Sequence, residues 1–223
     1  MSKKQQDKQG LRTEIVFILD ASGSMSGLES DTVGGFNGMI ERNREEPGEA
    51  VVSTIIFNDK SYVLHDRIDI REVPRLTRRQ YRCSGCTALL DAVGGAIKHV
   101  DVVQGVLPDG YKADKVLFVI TTDGMENASR HFSYAQIKQM IEHRRERGWE
   151  FLFIGANIDA GAEAEQLGIE RDRAADYLAD EQGTEVLYAA MASAVASVRS
   201  VPAGGSLGSA WRKGLDEDVR ARR

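Results

Sequence analysis

The chain has 223 residues, of which 42% are hydrophobic and 28% are charged, and its formal net charge at pH 7 is −5. This length and composition suit one globular domain with a sizeable core. The acidic balance gives no electrostatic support for nucleic-acid binding, which uses a basic surface. No apolar run approaches the length of about 20 residues that spans a bilayer, so no membrane segment is predicted. Residues 1–10 are polar and lack the apolar stretch of a secretory signal, which predicts a cytoplasmic protein.

Strands and helices are predicted to alternate along the chain. Apolar runs rich in Val and Ile predict strands at 14–20, 50–57, 61–65, 115–121, 149–155 and 174–178. Apolar residues at helical spacing predict helices at 29–44, from Thr87 onward, at 133–147, 159–167 and 180–198. Ser133 and Gln136 have the spacing of a capping box at the start of one of them. The charged segment 71–81 is predicted to be a surface loop.

The ends of the chain differ in composition from the rest. Residues 1–12 are predicted to be a polar tail, and residues 13–200 to form the domain. Residues 201–223 are Gly-rich and then of mixed charge, so we expect a flexible tail. Alternating strands and helices favour an α/β fold with a doubly wound, mostly parallel sheet and helices on both faces. The strand at 61–65 follows a tight turn and is expected to be antiparallel, at one edge.

Oxygen-bearing side chains cluster at the predicted ends of strands and helices. The first strand ends in Asp20-Ala-Ser-Gly-Ser24, a helix opens at Thr87, and a later strand delivers Asp123-Gly124. In a doubly wound sheet, ligands bind at the carboxyl ends of the strands. Carboxylates and hydroxyls are hard ligands that suit Mg²⁺ or Mn²⁺ better than zinc. We therefore predict a divalent metal site, with Ca²⁺ as a further candidate.

These three motifs, in this order, resemble those of the von Willebrand factor type A (vWA) family, whose metal-ion-dependent adhesion site (MIDAS) begins with Asp-x-Ser-x-Ser. The resemblance covers about residues 13–200 and implies the Rossmann-like vWA fold, as in small intracellular bacterial members of the family. It implies a complete MIDAS with Ser22, Ser24 and Thr87 as hydroxyl ligands. Asp20 and Asp123 would then hold the metal directly or through water.

The resemblance also implies a function. In the family, an Asp or Glu of a partner protein fills the open position on the metal, so the chain is expected to be an adaptor that binds protein and not an enzyme. Intracellular relatives commonly work beside AAA+ ATPases or in stress responses, which suggests such a partner and neither nucleic acid nor membrane. Residues beside the ligands in sequence are candidates for the rim that sets specificity: Met25, Ser26, Ser84, Gly85, Glu126 and Asn127.

Two other functions stay open. A metal-dependent hydrolase would use Asp20 as its nucleophile. However, the phosphatases with a comparable strand-end Asp need a second Asp two residues later, where this chain has Ser22. The other alternative is a structural subunit whose metal only stabilises the fold.

Cys83 and Cys86 form a Cys-x-x-Cys pair directly before Thr87. A zinc site would need two more ligands, and the four histidines are scattered. A redox pair is the remaining functional hypothesis, because oxidation beside Thr87 would disturb a metal ligand.

Overall fold

The computed structural model describes residues 11–202 and 204–222, and these residues form one sheet flanked by helices. The strands are β1 (Arg12–Asp20), β2 (Glu49–Phe57), β3 (Ser61–Asp69), β4 (Lys115–Thr122), β5 (Glu150–Gly155) and β6 (Ala174–Asp176). The helices are α1 (Glu29–Arg44), α2 (Leu89–Val106), α3 (Tyr134–Arg145), α4 (Ala160–Gln166), α5 (Glu181–Ser200) and α6 (Lys213–Arg222). None of these helices combines the length and the apolar character needed to cross a membrane.

The six strands are arranged in the order β3-β2-β1-β4-β5-β6. All neighbouring pairs are parallel except β2 and β3, which are antiparallel and place β3 at the edge. β1 and β4 lie in the middle and are buried along nearly their whole length, which explains their continuous apolar sequences. The predicted fold class and the antiparallel edge strand are confirmed.

Helices cover both faces of the sheet, and each face has its own apolar cluster. One cluster joins α1, α5 and the C-terminal segment to side chains such as Phe17 and Leu117. The other joins α2, α3 and α4 to the alternate side chains of the same strands, such as Phe118 and Phe153. Alternation along the strands therefore supplies two cores from one sheet, and helix ends and loops are left to gather at the sheet's carboxyl edge.

The predicted capping box at α3 is present. The Ser133 hydroxyl accepts the backbone N–H of Gln136, and the Gln136 side chain accepts the backbone N–H of Ser133. The expected helix from Thr87 begins two residues later, at Leu89. Residues 1–10 of the predicted N-terminal tail lie outside the described residues. Arg12 belongs to β1, where it pairs with Glu49 across the sheet, so the predicted tail boundary is too late.

The segment 71–81 differs from the surface loop that was predicted. Its charged residues are exposed, but Val73, Leu76 and Tyr81 are buried in the cluster beneath α1. The prediction of a surface loop followed the charges and overlooked three apolar residues whose irregular spacing matches neither a helix nor a strand. These residues fix the segment to the core.

The C-terminal segment was predicted to be a flexible tail, and this prediction is wrong for residues 204–222. Leu207, Trp211 and Leu215 are buried in the same cluster as α5, and residues 213–222 form α6. Arg222 pairs with Asp180 at the start of α5, and the Gln182 amide donates to Asp218. Burial of one Trp and two Leu offsets the ordering cost of a Gly-rich, charged segment. The ordered domain therefore extends past residue 200.

Candidate metal centre

Asp20 and Asp123 lie side by side at the carboxyl edge of the sheet. β1 and β4 are parallel neighbours with Leu19 opposite Thr121, so the residues that follow them meet at this edge. The chain leaves β1 toward β2 on one side, and β4 lies on the other side. This reversal of strand order is the switch point at which doubly wound sheets bind ligands. Both aspartates are only 2% exposed.

The three hydroxyl side chains converge on the same point. The Ser22 and Ser24 oxygens are 3.0 Å apart, and the Ser24 hydroxyl donates to Asp123 Oδ1 at 2.5 Å. A Cβ placed on Gly124 would lie 3.7 Å from Ser24 Oγ and 3.8 Å from Thr87 Oγ1, so both hydroxyls lie over this glycine. The structure thus brings together all five residues predicted from the motifs.

Backbone hydrogen bonds hold the two hydroxyl-bearing loops against each other. The Gly23 N–H donates to the Gly85 carbonyl at 3.1 Å, and the Ser84 N–H donates to the Ala21 carbonyl at 2.9 Å. Gly85 has a φ of +73°, and a Cβ there would lie 2.5 Å from a carboxylate oxygen of Asp59. Only glycine adopts this turn without strain, so the local sequence Ser84-Gly85 fixes where Thr87 stands.

Two residues that the sequence analysis missed orient Asp20. The Thr122 hydroxyl donates to Asp20 Oδ2 at 2.6 Å, while the Ser22 backbone N–H donates to Oδ1 at 2.7 Å. The Tyr81 hydroxyl donates to the Asp20 backbone carbonyl. Thr122 precedes Asp123 in sequence and has a polar side chain at the end of a buried strand, which is a readable signal. Nothing in the sequence indicates the role of Tyr81, because it arrives from the segment 71–81.

The described part of the chain provides no positive charge that compensates the two aspartates. Burial raises the pKa of the Asp20 carboxyl above its ordinary value, although hydrogen bonds from Thr122 and Ser22 oppose this shift. Burial also raises the pKa of Asp123, and the neighbouring charge of Asp20 adds to the rise. Among the residues described, no Lys, Arg or His forms an ion pair with either carboxylate. A bound cation would supply the missing charge.

The donor set fits a hard divalent cation. It consists of two carboxylates and three hydroxyls, all oxygen donors, and hydroxyls leave room for exchangeable water. Within residues 11–202 and 204–222, no cluster of three or more His, Cys, Asp or Glu side chains offers an alternative metal site. The described residues therefore suit a hard divalent cation at this edge and offer no second cluster of this kind.

Four of the six predicted rim residues are exposed beside the site: Ser26, Ser84, Gly85 and Asn127. Asn127 also holds Thr87, because its side chain accepts the Thr87 N–H at 2.9 Å and its N–H donates to the Thr87 carbonyl. Met25 is not a rim residue. It is buried, and its sulfur lies 3.8 Å from the Tyr177 hydroxyl. The short helical turn at residues 23–25 directs it inward.

Glu126 is not a rim residue either. Its carboxylate accepts the backbone N–H groups of Leu90, Ala128 and Ser129 and the Ser129 hydroxyl. It therefore caps the first turn of α2 and fixes the loop after Asp123. Sequence proximity to Asp123 suggested a rim role, but the unpaired N–H groups at the start of α2 decided its orientation.

Two exposed residues near the metal centre were not predicted. Met125 follows the Asp123-Gly124 turn and is 67% exposed, which makes it the largest apolar side chain on this rim. Asn157, with a positive φ of 58°, donates from its side chain to the Asp123 carbonyl at 3.4 Å. Asn tolerates that backbone conformation better than most residues, and its place just after a strand end is the signal that sequence reading could have used.

Cys83 and Cys86 are free thiols beside the site. Cys86 is exposed, whereas Cys83 packs against the apolar cluster under α1. Burial raises the pKa of the Cys83 thiol to about 12, with a further contribution from the Glu29 charge. A reactive redox cysteine has a lowered pKa instead, so the environment of Cys83 disfavours thioredoxin-type chemistry.

Comparison with solved structures gives the family of folds. A vWA protein from Catenulispora acidiphila superimposes with a TM-score of 0.58 at 14% identity, covering 84% of this chain and 43% of the other. The pilus adhesin SpaC from Lactobacillus rhamnosus GG gives 0.60 at 12% identity, covering 87% and 31%. Proximal thread matrix protein 1 from the mussel byssus gives 0.56 at 15% identity, covering 85% and 46%.

The chain therefore has the Rossmann-like fold of vWA domains and spans less than half the length of each of these proteins. A further structure of the mussel protein, with a TM-score of 0.51 at 16% identity over 80% of this chain and 46% of that one, has a zinc-occupied MIDAS motif. No family model matches the sequence, and no curated protein shows significant similarity to it.

Proposed function

We propose that this chain is a divalent-metal-dependent protein-binding module. A Mg²⁺ ion held by Asp20, Ser22, Ser24, Thr87 and Asp123 docks an acidic side chain of a partner protein. One observation carries the proposal: two buried carboxylates and three hydroxyls meet at the switch point of the sheet, and no basic side chain among the described residues balances them. The ion would supply the positive charge, and a partner's Asp or Glu would complete its coordination.

The choice of metal follows from the ligands. Hydroxyl and carboxylate oxygens favour Mg²⁺ or Mn²⁺, and no thiol or imidazole belongs to the set. The structural neighbour with zinc in its MIDAS supports occupation of this kind of site by a divalent ion. Two free cysteines suit a reducing compartment, which supports a cytoplasmic location for the proposed adaptor. The vWA resemblance makes an AAA+ ATPase or a stress-response protein the first partner to test.

The metal is proposed to bind and not to catalyse. Among the described residues, no histidine side chain bonds a metal-site residue: His65 bonds Thr54, His99 bonds Asp66, and His143 pairs with Glu146. Ser22, at the position where a phosphatase has its acid or base, contacts Ser24, and its hydroxyl is too weak an acid and base to replace a carboxylate in that role at neutral pH. Asp123 lies beside Asp20, and in the proposed function it holds the metal and does not serve as a general acid.

A thermal melt tests the metal site directly. We expect Mg²⁺ at about 100 times its dissociation constant to stabilise the native state by about 2.7 kcal/mol relative to EDTA. For a chain of this size, this raises the midpoint by about 5–10 °C. Asp20→Ala and Asp123→Ala should abolish the rise. Asp109→Ala, which removes an exposed aspartate elsewhere, should retain it.

Two results would contradict the proposal. No rise with Mg²⁺, Mn²⁺ or Ca²⁺ would remove the metal site. Unfolding by EDTA alone at room temperature would favour the structural-metal alternative. If the rise is found, capture of the partner with and without Mg²⁺ tests the adaptor function. Release of phosphate from a generic phosphate ester, lost in Asp20→Asn, would instead support the hydrolase.

A further inference from the structure

Four exposed arginines without ion-pair partners lie along a segment that leads to the metal centre. Residues 75–82, which we call the arginine segment, read Arg-Leu-Thr-Arg-Arg-Gln-Tyr-Arg and contain no acidic residue. The four arginines, Arg75, Arg78, Arg79 and Arg82, are all exposed. The chain has a net charge of −5, so this segment is a local region of positive charge that the overall composition does not reveal.

The four arginines of the arginine segment lack acidic partners, in contrast to several arginines elsewhere in the described chain. Arg67, Arg144 and Arg173 form ion pairs with Glu14, Asp101 and Glu150. Over the described ranges, none of the four arginines forms an ion pair, and their only side-chain hydrogen bond runs from Arg82 to the Arg79 carbonyl. Their guanidinium groups are therefore available to an external anion.

Hydrogen bonds and buried side chains hold the backbone of the arginine segment, so the positions from which the arginines project are fixed. The Asn37 side chain accepts the Leu76 N–H at 2.8 Å and donates to the Leu76 carbonyl at 2.9 Å. Thr77 bonds the Gln80 side chain through both its N–H and its hydroxyl. Leu76 and Tyr81 are buried. A preorganised basic surface loses less conformational entropy on binding than a flexible one.

The segment leads to the metal centre. Arg44, the last residue of α1, bonds the Val73 carbonyl, and Asn37 in the middle of α1 bonds Leu76. Further along, the Tyr81 hydroxyl reaches the Asp20 carbonyl. Residues 73–81 thus run alongside α1 from the far end of the sheet to the edge that carries the metal-site residues. Arg82 stands two residues before Ser84, whose N–H bonds Ala21 beside Asp20.

We propose that the arginine segment extends the metal centre into a docking surface for an extended protein segment that carries several Asp or Glu residues. This inference rests on the proposed function: one carboxylate of the partner's acidic segment binds the metal, and its other carboxylates pair with the arginines. The occupant is chosen by charge complementarity. Acidic side chains lie at both ends of the arginine segment: Glu72 precedes it, and Glu29 near Cys83 and Asp59 beside Gly85 follow it. A short acidic peptide fits between them, whereas a long polyanion would meet their repulsion.

A binding assay with matched variants tests this surface. The probe is a short fluorescein-labelled peptide in which Asp and Glu alternate with Gly and Ser, and fluorescence anisotropy is measured at low salt with Mg²⁺ or EDTA. We expect Arg78→Glu/Arg79→Glu to weaken binding about tenfold or more. The control Arg147→Glu/Arg220→Glu reverses two exposed arginines elsewhere on the molecule and should change the affinity less than about twofold.

The assay separates this inference from the metal proposal. Asp123→Ala should lose the Mg²⁺-dependent part of binding and keep the part that depends on Arg78 and Arg79. The arginine variant should keep the Mg²⁺-induced rise in the melting midpoint. Equal weakening by both arginine pairs would overturn the docking surface and leave the metal site standing. Tighter binding of single-stranded oligo-dT than of the acidic peptide would also overturn it, in favour of a nucleic-acid surface.

Discussion

Two pairs of carboxylates lie at the same edge of the sheet and differ in the hydrogen-bond donors that the fold gives them. Asp91 accepts the N–H groups of Arg130, His131 and Phe132, and Glu126 accepts those of Leu90, Ala128 and Ser129. Within the described ranges, Asp20 accepts one backbone N–H and one hydroxyl, and Asp123 accepts the Ser24 hydroxyl as its only hydrogen bond from another residue.

The pKa of Asp91 is shifted in the opposite direction from the pKa values of Asp20 and Asp123. Burial raises the pKa values of Asp20 and Asp123, and few donors oppose that effect. Burial also acts to raise the pKa of Asp91, but three backbone N–H groups outweigh it and the pKa is lowered. A carboxylate satisfied by its own chain organises structure, whereas a buried carboxylate left short of donors is suited to an external cation.

The largest effect is expected from Glu126→Ala, which breaks the satisfied pair. It leaves three N–H groups and one hydroxyl without their acceptor and should lower the free energy of unfolding by about 2–3 kcal/mol. Urea denaturation measures the loss. Glu142→Ala, which removes an exposed glutamate on α3, is the control and should change stability by less than about 0.5 kcal/mol. Equal losses in the two variants would show that Glu126 does not hold the loop.

In the absence of metal, Asp20→Asn should change the free energy of unfolding in the opposite direction. It removes a buried charge that nothing in the described chain balances, while the amide oxygen retains an acceptor for Ser22. In EDTA at pH 7 we expect the variant to be at least as stable as the wild type, and up to about 1 kcal/mol more stable. With Mg²⁺ the order should reverse, since only the wild type gains from binding. A clear loss of stability in EDTA would place Asp20 with the structural carboxylates.

The smallest effect is expected from Asp91→Asn, and it depends on pH. Because the folded-state pKa of Asp91 lies below its ordinary value of 3.8, its contribution is fully present above that value and is lost as the pH falls through the folded-state pKa. At pH 7 we expect the variant to be less stable by about 1 kcal/mol. The difference should shrink below about pH 4. A gap that stayed constant down to pH 2 would show that charge is not the cause.

Much of the candidate site was predictable from the sequence. Asp20, Ser22 and Ser24 follow one buried strand, Asp123 follows another, and Thr87 opens a helix. Local periodicity and the rule that parallel strands end together place the two aspartates at one edge, whereas the role of Thr87 and the full ligand set came from the resemblance to the vWA family. The partners Thr122 and Asn127 were harder to predict, because a side chain's choice between neighbouring donors depends on loop conformation.

Misplaced residues show the same limit. Met25 and Glu126 adjoin metal-site residues in sequence, yet one is buried and the other caps α2. The C-terminal segment looks flexible by composition, and only the apolar surface left open beside α5 explains why Trp211 and Leu215 dock. A sequence shows which side chains are apolar, but it does not show against which surface of the folded protein they will pack.

The sequence by itself determined the order of strands and helices and the residue types that gather at the carboxyl edge of the sheet. Periodicity and turn chemistry act over a few residues, so both can be read along the chain. The tertiary structure alone decided which carboxylates are satisfied and that the arginine segment climbs to the metal centre. Both depend on long-range contacts, such as Tyr81 with Asp20 and Leu90 with Glu126, which form only when distant segments pack together.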